Sequence, residues 1–401
     1  MRPAQPEALP VGRRMAYWRA RRRMSQQVLA DRLKKSKSWV DKVERGVRSL
    51  DKLSTLREVA SALRVDTAAL LGDTQPAEVA ERSAGVERLR EALSRYAIPL
   101  GRPAASRRVS PTGPVDQQVA HAWATFQHAR YLRLVDGLPE LLHDVERIHA
   151  VDSVRGRVPL MEAYRVTAAL LVKLGAPESE WLAVDRAMTA ATGDRTMVAA
   201  AAVQLGQVLR ASGQGRAAKS VMLAAAYRIA PAMTERGLPA ESSLCGTLLV
   251  QAALAAAGYG DQAAVAELLD EAAALAARVG DGHDHYRTGF GPTAVESARV
   301  VAAVELGDGV DAVAWHEKTT ARDGWRWLPA EHRAAHLIDA ARAYLQVDDP
   351  TNASRALMEA DRVAPAELRH RPAGREVLAQ VTREPTAPTM LVDLAAALGV
   401  A

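Results

Sequence analysis

The chain has 401 residues, of which 48 % are hydrophobic, 25 % are charged and 4 % are aromatic. These proportions are those of an ordinary globular protein, and the shortage of aromatic residues favours helices packed through small side chains over a β-sandwich core. The single cysteine, Cys245, excludes an intramolecular disulfide and indicates a reducing compartment.

The charge is distributed unevenly along the chain. Residues 1–72 contain 17 Lys/Arg and 7 Asp/Glu, for a net charge of +10, whereas the remaining residues carry a net charge of −5. This asymmetry predicts a basic module that binds an anionic partner, with nucleic acid as the first candidate and a membrane surface as the second. The N-terminal residues show no apolar signal core, and no uninterrupted apolar run reaches the roughly 20 residues that span a bilayer. We therefore expect a cytoplasmic protein that does not bind a membrane.

Residues 1–10 contain three prolines and predict a loose tail, whereas residues 11–72 show dense helical periodicity with short connections. The first predicted helix, GRRMAYWRARRR, places Met15 and Trp18 inward. Ser25 and Ser36 are the predicted N-caps of the next two helices, because a serine hydroxyl can accept from free backbone N–H groups. The three-residue turn between these helices predicts a helix-turn-helix. Two further helices are predicted in LDKLSTLREVASAL and DTAALLG.

The two helices around this turn differ in their apolar faces. The first has a face of four residues: Val28, Leu29, Ala30 and Leu33. The second offers only Val40 and Val43 to a core. Its opposite side carries Lys37, Ser38, Asp41, Lys42 and Arg45. So basic an exposed face favours a recognition helix, which enters the major groove of DNA with its N-terminal end first.

The ordered pattern over residues 12–72 resembles the lambda repressor/Cro-like (XRE-type) helix-turn-helix family. The residues that carry the resemblance are Ser25, Gln26, Leu29, Ala30, Ser36, Val40, Val43, Glu44, Arg45, Gly46, Leu53, Leu56, Val59, Ala60, Ala62, Leu63, Val65, Leu70 and Leu71. Arg23 and Lys34 depart from the pattern, since they stand where the family usually has glycine before a new helix. A non-glycine residue in a left-handed turn costs about 1 kcal/mol. The resemblance implies a helical DNA-binding bundle with a partly buried ion pair between Arg19 and Glu44.

The helical wheel indicates which side chains face the bases. Lys37, Ser38 and Lys42 are the predicted contacts to base edges, and lysine commonly binds guanine O6 and N7. Asp41 repels phosphate but can accept a hydrogen bond from cytosine N4. Trp39 packs either against the DNA or on the core of the bundle.

The resemblance adds contacts to the DNA backbone. It implies that Gln26 meets a phosphate at a helix N-terminus and that Lys52 lies near the minor groove. The full predicted DNA-binding set is Arg13, Gln26, Gln27, Lys35, Lys37, Ser38, Trp39, Asp41, Lys42, Arg45 and Lys52. Two other interpretations remain open: a small helical bundle with a solvated charged surface, and a helix-turn-helix that binds a protein.

The rest of the chain is predicted to be helical as well. Residues 73–115 are predicted to be a linker that contains one helix, Glu78 to Tyr96, and then a proline-rich stretch. Residues 116–383 show helix after helix, and residues 384–401 are predicted to be a tail with a short helix. No period-two alternation occurs, so the predicted fold class is all-α.

Residues 116–383 contain helix pairs typical of tetratricopeptide repeats, in which small residues lie where two helices touch. The best-defined pair is LIDAARAYLQVDDPTNASRALMEADRVAP. Corresponding positions, 38 to 47 residues apart, are Ala168, Gly206, Ala253, Val300 and Ala341. This spacing exceeds the ideal repeat of about 34 residues. We therefore predict five or six tetratricopeptide-like pairs, stacked into an α-solenoid with a concave face.

A basic helix-turn-helix followed by such a body resembles cytoplasmic regulators of Gram-positive bacteria, including the peptide-pheromone receptors, and regulators of actinobacteria. In this architecture the first helix of each pair lines the concave face. The predicted ligand-binding residues on this face are Arg165, Gln207, Arg210, Thr247 and Arg342. Tyr286 and Arg287, in a long glycine-rich loop, are predicted to add a lid or an apolar wall.

Basic and amide groups outnumber acids on this face, which favours a small molecule with a carboxylate or another anion. A peptide effector is the alternative, although Asn352 is the only asparagine that could clamp a peptide backbone. In a third interpretation, the arginines pair with neighbouring carboxylates and bind no effector.

We find no catalytic motif. His332 and His336 have the i, i+4 spacing of metal ligands, but the order of residues differs from H-E-x-x-H. His283 and His285 are interpreted as solvated loop residues. Cys245 lies in an apolar predicted helix, which favours a core position over a nucleophile. We therefore expect no enzyme activity, no cofactor and no metal.

The predicted function is that of a sequence-specific DNA-binding transcriptional regulator. Its partners are predicted to be double-stranded DNA, a second copy of the chain and a small-molecule or peptide effector. The alternative is a protein-interaction scaffold or antitoxin-like protein, whose helical repeats bind a protein partner.

Overall fold

The computed structural model of the protein describes residues 11–22, 24–45, 53–63, 65, 77–95, 114–230 and 238–400. Within these ranges all regular structure is helical and there is no strand, which confirms the prediction of an all-α fold. The chain divides into two compact units between Ala80 and Glu81. Each unit is described by itself.

The first unit contains four described helices: α1 (Val11–Arg21), α2 (Gln26–Arg32), α3 (Lys37–Glu44) and α4 (Leu53–Leu63). Their inner faces meet in one apolar core, formed by Met15, Leu29, Ala30, Leu33, Val40, Val43, Val59, Ala60 and Leu63. The predicted helices over GRRMAYWRARRR and LDKLSTLREVASAL are thus confirmed. The predicted helix DTAALLG, Arg23 and Gly46 lie outside the described residues.

One predicted core residue of this unit is on the surface. Val28 was expected on the apolar face of α2, but 44 % of its surface is exposed. Successive residues of a helix are about 100° apart, so Val28 and Ala30 are separated by about 200° and cannot face the same core. Leu29, Ala30 and Leu33 occupy the buried arc instead.

The second unit begins within α5 (Ala77–Leu93) and continues with a long series of helices. These are α6 (Val115–Gln127), α7 (Tyr131–Val151), α8 (Ser153–Leu174), α9 (Pro177–Ala191), α10 (Arg195–Ala211), α11 (Gly215–Ile229), α12 (Pro239–Ala257), α13 (Gln262–Val279), α14 (Pro292–Leu306), α15 (Gly309–Thr320), α16 (Ala330–Gln346), α17 (Pro350–Val363), α18 (Pro365–His370), α19 (Pro372–Val381) and α20 (Thr389–Leu398). Two short 3-10 helices, His285–Arg287 and Asp323–Trp327, lie in the connections before α14 and α16.

The helices from α8 to α17 pack as successive pairs: α8 with α9, α10 with α11, α12 with α13, α14 with α15, and α16 with α17. The first helices of consecutive pairs also pack against one another, in the order α8, α10, α12, α14 and α16. This is the packing of a stack of helix pairs. The predicted pairing of helices is thus present, whereas the relationship to tetratricopeptide repeats stays a prediction.

The close contact within a pair depends on a small residue at the predicted position. A Cβ atom on Gly206 of α10 would lie 1.5 Å from Cε of Met222 on α11. No real atoms approach so closely, so the Met222 side chain can occupy its present position only because Gly206 has no side chain.

The ends of the stack meet. α6 packs against α16, and α8 packs against α18, so the first and last parts of the second unit are in contact. Leu170 of α8, Ile338 of α16 and Leu368 of α18 are all buried in one apolar core. The row of first helices is thereby closed into a ring.

Two segments that were predicted to lie outside the helical body are part of it. In the predicted linker, α5 buries Leu89 and Leu93 in the same core. In the predicted C-terminal tail, α20 buries Leu391 and Ala395 there. Both helices present apolar residues at helical spacing, and burying such a face stabilises the packed position.

In the part of the chain that the structure describes, one helix, Pro239–Ala257, is long and apolar enough to cross a membrane by length and composition. Most of it is buried inside the second unit, where Leu244, Leu248 and Leu249 have no exposed surface. This helix, α12, therefore lies in the core of the stack of helix pairs.

Candidate nucleic-acid interface and ligand cavity

The turn between α2 and α3 is bounded by two capped helices. Ser25 Oγ accepts from the backbone N–H of Val28 at 3.2 Å, and Ser36 Oγ accepts from the backbone N–H of Trp39 at 3.1 Å. Both predicted caps are thus confirmed. Lys34 has a φ of 52°, so it adopts the left-handed conformation that favours glycine.

An ion pair joins α1 to α3. Arg19 donates from Nε to Glu44 Oε1 at 2.6 Å and from NH2 to Glu44 Oε2 at 2.9 Å, which confirms the pair that the resemblance implied. The hydrogen bond to Glu44 is the main cause of the raised pKa of Arg19. Gln26 Nε2 also donates to Glu44 Oε2, at 2.8 Å. The amide nitrogen predicted to meet a phosphate is therefore bonded within the protein.

The outer face of α3 is basic and has few bonds within the protein. Lys37, Ser38 and Lys42 are exposed there, Lys35 is exposed in the turn, and Arg13 is exposed on α1. Among the residues that the structure describes, none of these four cations has a carboxylate within 4.0 Å. Their charges are therefore available to an external anion.

Other predicted contact residues have partners. Arg45 NH2 lies 2.7 Å from Asp41 Oδ2, so these two charges partly cancel. Gln27 Nε2 donates to Asp31 Oδ1 at 2.8 Å. Trp39 is half-buried and packs against the core, as one of its two predicted roles required. Lys52 lies outside the described residues.

A cavity of about 1080 Å³ lies inside the ring of the second unit. Its wall comes from α6 and from the first helices of the pairs, α8, α10, α12, α14 and α16, together with loops and the first residues of α9, α11 and α19. Four of the predicted ligand-binding residues line it: Gln207, Arg210, Thr247 and Arg287. The other three, Arg165, Tyr286 and Arg342, do not.

Arg165 lies behind the cavity wall. It is fully buried and donates from Nε to Gln204 Oε1 at 2.8 Å, from NH1 to Glu162 Oε1 at 2.7 Å and from NH2 to the backbone oxygen of Tyr286 at 3.2 Å. Its guanidinium also lies 5.2 Å from the ring centroid of Trp123. These bonds hold the Tyr286 loop against α8, so the prediction that Arg165 faces a ligand is wrong.

Arg342 is paired with neighbouring carboxylates, as in the alternative interpretation in which the arginines of the concave face bind no effector. Its NH1 group lies 2.8 Å from Glu305 Oε1 and 3.2 Å from Asp339 Oδ1. Because both carboxylates lie at the cavity wall and Arg342 does not, this arginine neutralises the wall and is no ligand contact.

Arg210 differs from Arg342 in having no carboxylate partner. Its NH1 group donates to Gln251 Oε1 at 3.0 Å, and no described carboxylate lies within 4.0 Å of it. Burial lowers the pKa of Arg210; the nearby charge of Arg371 lowers it further, while those of Glu305 and Asp339 oppose the shift. Arg210 therefore carries a positive charge at the cavity wall that no adjacent carboxylate neutralises.

A buried cluster of charges that sequence analysis did not identify lies beside the cavity. Lys173 Nζ is 2.7 Å from Glu331 Oε2 and 2.7 Å from Glu367 Oε1, and Arg371 NH1 is 3.5 Å from Glu367 Oε2. Tyr131 donates its hydroxyl to Glu367. The residues come from distant parts of the chain, so no local pattern could have predicted the cluster.

The two histidines of EHRAAH have separate partners. His332 Nε2 lies 2.9 Å from Glu331 Oε1, whereas His336 Nδ1 lies 2.8 Å from Ser297 Oγ and its Nε2 lies 2.9 Å from His316 Nδ1. Burial lowers the pKa of His336 to about 3, so its imidazole is neutral at ordinary pH. The side chains thus serve two different hydrogen-bond networks.

Cys245 is buried on α12, where its Sγ faces the backbone oxygen of Ala226 at 3.7 Å. Burial raises the pKa of its thiol to about 11. A thiol is a poor nucleophile until it loses its proton. The predicted core position of Cys245 is therefore confirmed.

Comparison with known proteins adds one identification. No curated protein matches the chain. Residues 10–71 match the family model of the helix-turn-helix domain. The match covers the described helices α1 to α4, and with them the capped turn and the basic outer face of α3. The match supports a DNA-binding regulator with a helix-turn-helix domain in the first unit.

Proposed function

We propose that the protein is a sequence-specific DNA-binding transcriptional regulator of the XRE type. The observation that carries the proposal is the division of α3 into two faces. Val40 and Val43 are buried in the core, whereas Lys37 and Lys42 are exposed on the other side without a described carboxylate within 4.0 Å. The major groove of DNA is about 12 Å wide and accepts an α-helix, so this face can reach base edges.

The exposed residues divide into two roles. Lys37, Ser38 and Lys42 contact the bases, because they lie on the outer side of α3. Lys35 and Arg13 lie outside α3 and contact phosphates, which position the domain without distinguishing sequences. The ion pair of Arg19 with Glu44 holds α3 against α1 and so fixes the direction of the recognition helix.

A single domain of this kind contacts too few bases to define a unique genomic site. Two domains related by a two-fold axis contact half-sites about 34–36 Å apart. We assign the dimer contact to the helical unit, where Val151, Val154 and Val158 are 86 %, 87 % and 53 % exposed at the junction of α7 and α8. Clustered exposed apolar side chains are typical of a surface that is covered by a partner.

The cavity of the helical unit gives this regulator a sensor. Its volume of about 1080 Å³ is slightly above the usual range of small-molecule sites. An effector that binds one conformation more tightly than another shifts the population towards the tighter-binding one. The regulator acts in the cytoplasm, where it has access to DNA.

The test is selection of bound sequences from random duplex DNA by the full chain, followed by titrations at several salt concentrations. We expect an enriched, roughly palindromic sequence and an affinity that falls steeply as salt increases. A chain that enriches no sequence and whose weak DNA binding is independent of sequence would contradict the proposal. In that case the exposed face of α3 would be a surface for a protein partner.

A further inference from the structure

At one end of the cavity in the helical unit, two side chains have N–H donors without described hydrogen-bond acceptors. Arg210 and Gln207 lie three residues apart on α10, so they share one face of the helix, and both line the cavity. Arg210 has only the hydrogen bond to Gln251, and Gln207 has no hydrogen-bond partner among the described residues. A guanidinium and an amide are thus presented to the same space without an acceptor for their remaining N–H groups.

The neighbouring carboxylates do not fill this role. Glu305 and Asp339 are bonded to Arg342, and Glu331 is bonded to Lys173. Burial lowers the pKa of Arg210, and the charge of Arg371, which also lines the cavity, lowers it further; Glu305 and Asp339 act in the opposite direction, but neither lies within 4.0 Å of Arg210. Arg210 therefore faces the cavity as a cation that no described carboxylate contacts directly.

The surface next to this cationic end is apolar. Val250 and Leu254 lie on α12 on either side of Gln251, the residue that holds Arg210, and both line the cavity. Phe290 lines it as well and packs on α12 so closely that a Cβ atom on Gly246 would lie 2.0 Å from the Phe290 ring. The cavity thus combines a cationic end with an apolar wall.

We propose that the cavity binds a small amphipathic anion, whose carboxylate or phosphate group is held by Arg210 and Gln207 and whose apolar body lies against α12. An arginine offers two parallel N–H groups to such an anion, and these charge-assisted bonds are stronger than neutral ones. This inference rests on the proposed sensor role and specifies the class of its effector. It does not depend on DNA binding.

The probes are 8-anilino-1-naphthalenesulfonate and N-phenyl-1-naphthylamine, which share an aromatic body but differ in the anionic group. Fluorescence titration of the full chain gives the affinity of each. We expect the wild-type chain to bind the sulfonate at least tenfold more tightly than the neutral amine. Equal affinities would overturn the proposal, because the anionic group would then contribute nothing.

Arg210→Gln tests the position of the anion. The sulfonate should bind at least tenfold more weakly to this variant, while the affinity for the neutral amine stays within twofold. Arg216→Gln is the matched control, since Arg216 also lines the cavity but is exposed to solvent and stacks on Tyr259. It should leave both affinities within twofold. A loss of the same size for both probes in Arg210→Gln would show a structural role for Arg210 and would contradict the proposal.

Arg210→Lys covers the case in which the glutamine variant does not fold, as judged by circular dichroism. It keeps the charge but not the paired N–H groups, so the sulfonate should bind several-fold more weakly than to the wild type, and an unchanged affinity would refute the proposed geometry.

Displacement of the bound sulfonate by decanoate and by decyl phosphate then distinguishes the two anions. Displacement by neither, at concentrations where methyl decanoate is also inactive, would overturn the assignment of the ligand class.

None of these titrations includes DNA. Binding of the sulfonate without binding of DNA would support the ligand site and contradict the proposed function. Binding of DNA without binding of the sulfonate would support the function and contradict the ligand site. The two conclusions can therefore fail separately.

Discussion

Lys173 Nζ lies 2.7 Å from Glu331 Oε2, although the two residues are 158 positions apart in the chain. Lys173 is in the last turn of α8 and Glu331 is in the first turn of α16. Their ion pair is buried at the point where the ring of helices closes. It therefore holds together the two ends of the wall that surrounds the cavity.

Removal of this ammonium group should destabilise the helical unit. In Lys173→Met, Glu331 and Glu367 would keep their buried charges without the cation between them, which costs about 3–5 kcal/mol. Chemical denaturation followed by circular dichroism measures the loss. Lys219→Met is the control, because Lys219 and Asp261 are only half-buried, with 25 % and 33 % of their side-chain surfaces exposed, and their pair should contribute much less. Equal losses in the two variants would contradict a role of Lys173 in closing the ring.

Substitution in the recognition helix should separate base contacts from phosphate contacts. Lys42→Ala should relax the base preference at one position of the site, at a cost of about 1–3 kcal/mol. Lys35→Ala and Arg13→Ala should weaken binding to all sequences about equally and lower the dependence on salt. Sequence selection with each variant checks this difference. If Lys42→Ala kept the preferred sequence of the wild type, α3 would not be the helix that contacts the bases.

Gly12 should be essential for the position of α3. A Cβ atom at this residue of α1 would lie 1.9 Å from the backbone oxygen of Val43, and a backbone atom cannot move aside alone. Gly12→Ala should therefore destabilise the domain by about 1–3 kcal/mol and weaken DNA binding. Gly137→Ala, at an exposed helical site with nothing within 4 Å of the added Cβ, should stabilise the chain slightly. Thermal unfolding of both variants checks the difference in sign.

His336 should make the helical unit less stable in acid. Its pKa is lowered by burial to about 3 in the folded chain, against an ordinary value of 6.5, so the unfolded chain takes up the proton first. Stability is then present above pH 6.5 and is lost as the pH falls, by about 1.4 kcal/mol per pH unit for this group. His336→Gln should flatten the dependence of the free energy of unfolding on pH between 6.5 and 4. An unchanged slope would mean that His336 is protonated in the folded chain.

The pKa of His332 is shifted in the opposite direction to that of His336, so its effect on stability should depend on pH in the opposite way. Burial alone would lower its pKa, but the charge of Glu331 and the hydrogen bond to it outweigh burial, so the pKa is raised. The stability from this group is present below pH 6.5 and is lost as the pH rises through the raised pKa. His332→Gln should therefore lose stability relative to the wild type mainly at acid pH, with a smaller difference above neutrality.

The exposed valines at the junction of α7 and α8 should form the dimer contact. Val154→Glu places a charge in the centre of this apolar surface, and burying an unpaired charge opposes association. Sedimentation at micromolar concentration should show a dimer for the wild type and a monomer for this variant. Val310→Glu is the control, because Val310 is 71 % exposed at the start of α15, away from this junction in the chain. A wild-type chain that is monomeric in this experiment would contradict the proposed dimer.

Much of the helix-turn-helix domain could be predicted from a few neighbouring residues. Ser25 and Ser36 cap the helices that follow them, because a cap depends only on the next three residues. The apolar residues at helical spacing likewise indicated the buried face of α3. The ion pair of Arg19 with Glu44 was implied by resemblance, since it joins two helices and no local pattern shows it.

In the helical unit, the sequence by itself determined where the helices lie and how they pair, because apolar periodicity and small residues such as Gly206 are local properties. It could not determine which arginine of the concave face stays without a carboxylate. Arg165, Arg210 and Arg342 looked equivalent, yet only Arg210 lines the cavity without such a partner. Arg165 is bonded to Gln204 of α10 as well as to Glu162 of its own helix, and Arg342 is bonded to Glu305 of α14 as well as to Asp339 of its own helix. The closing pair of Lys173 with Glu331 spans 158 positions. Such contacts depend on how the helices stack around the ring, so the tertiary structure alone decides them.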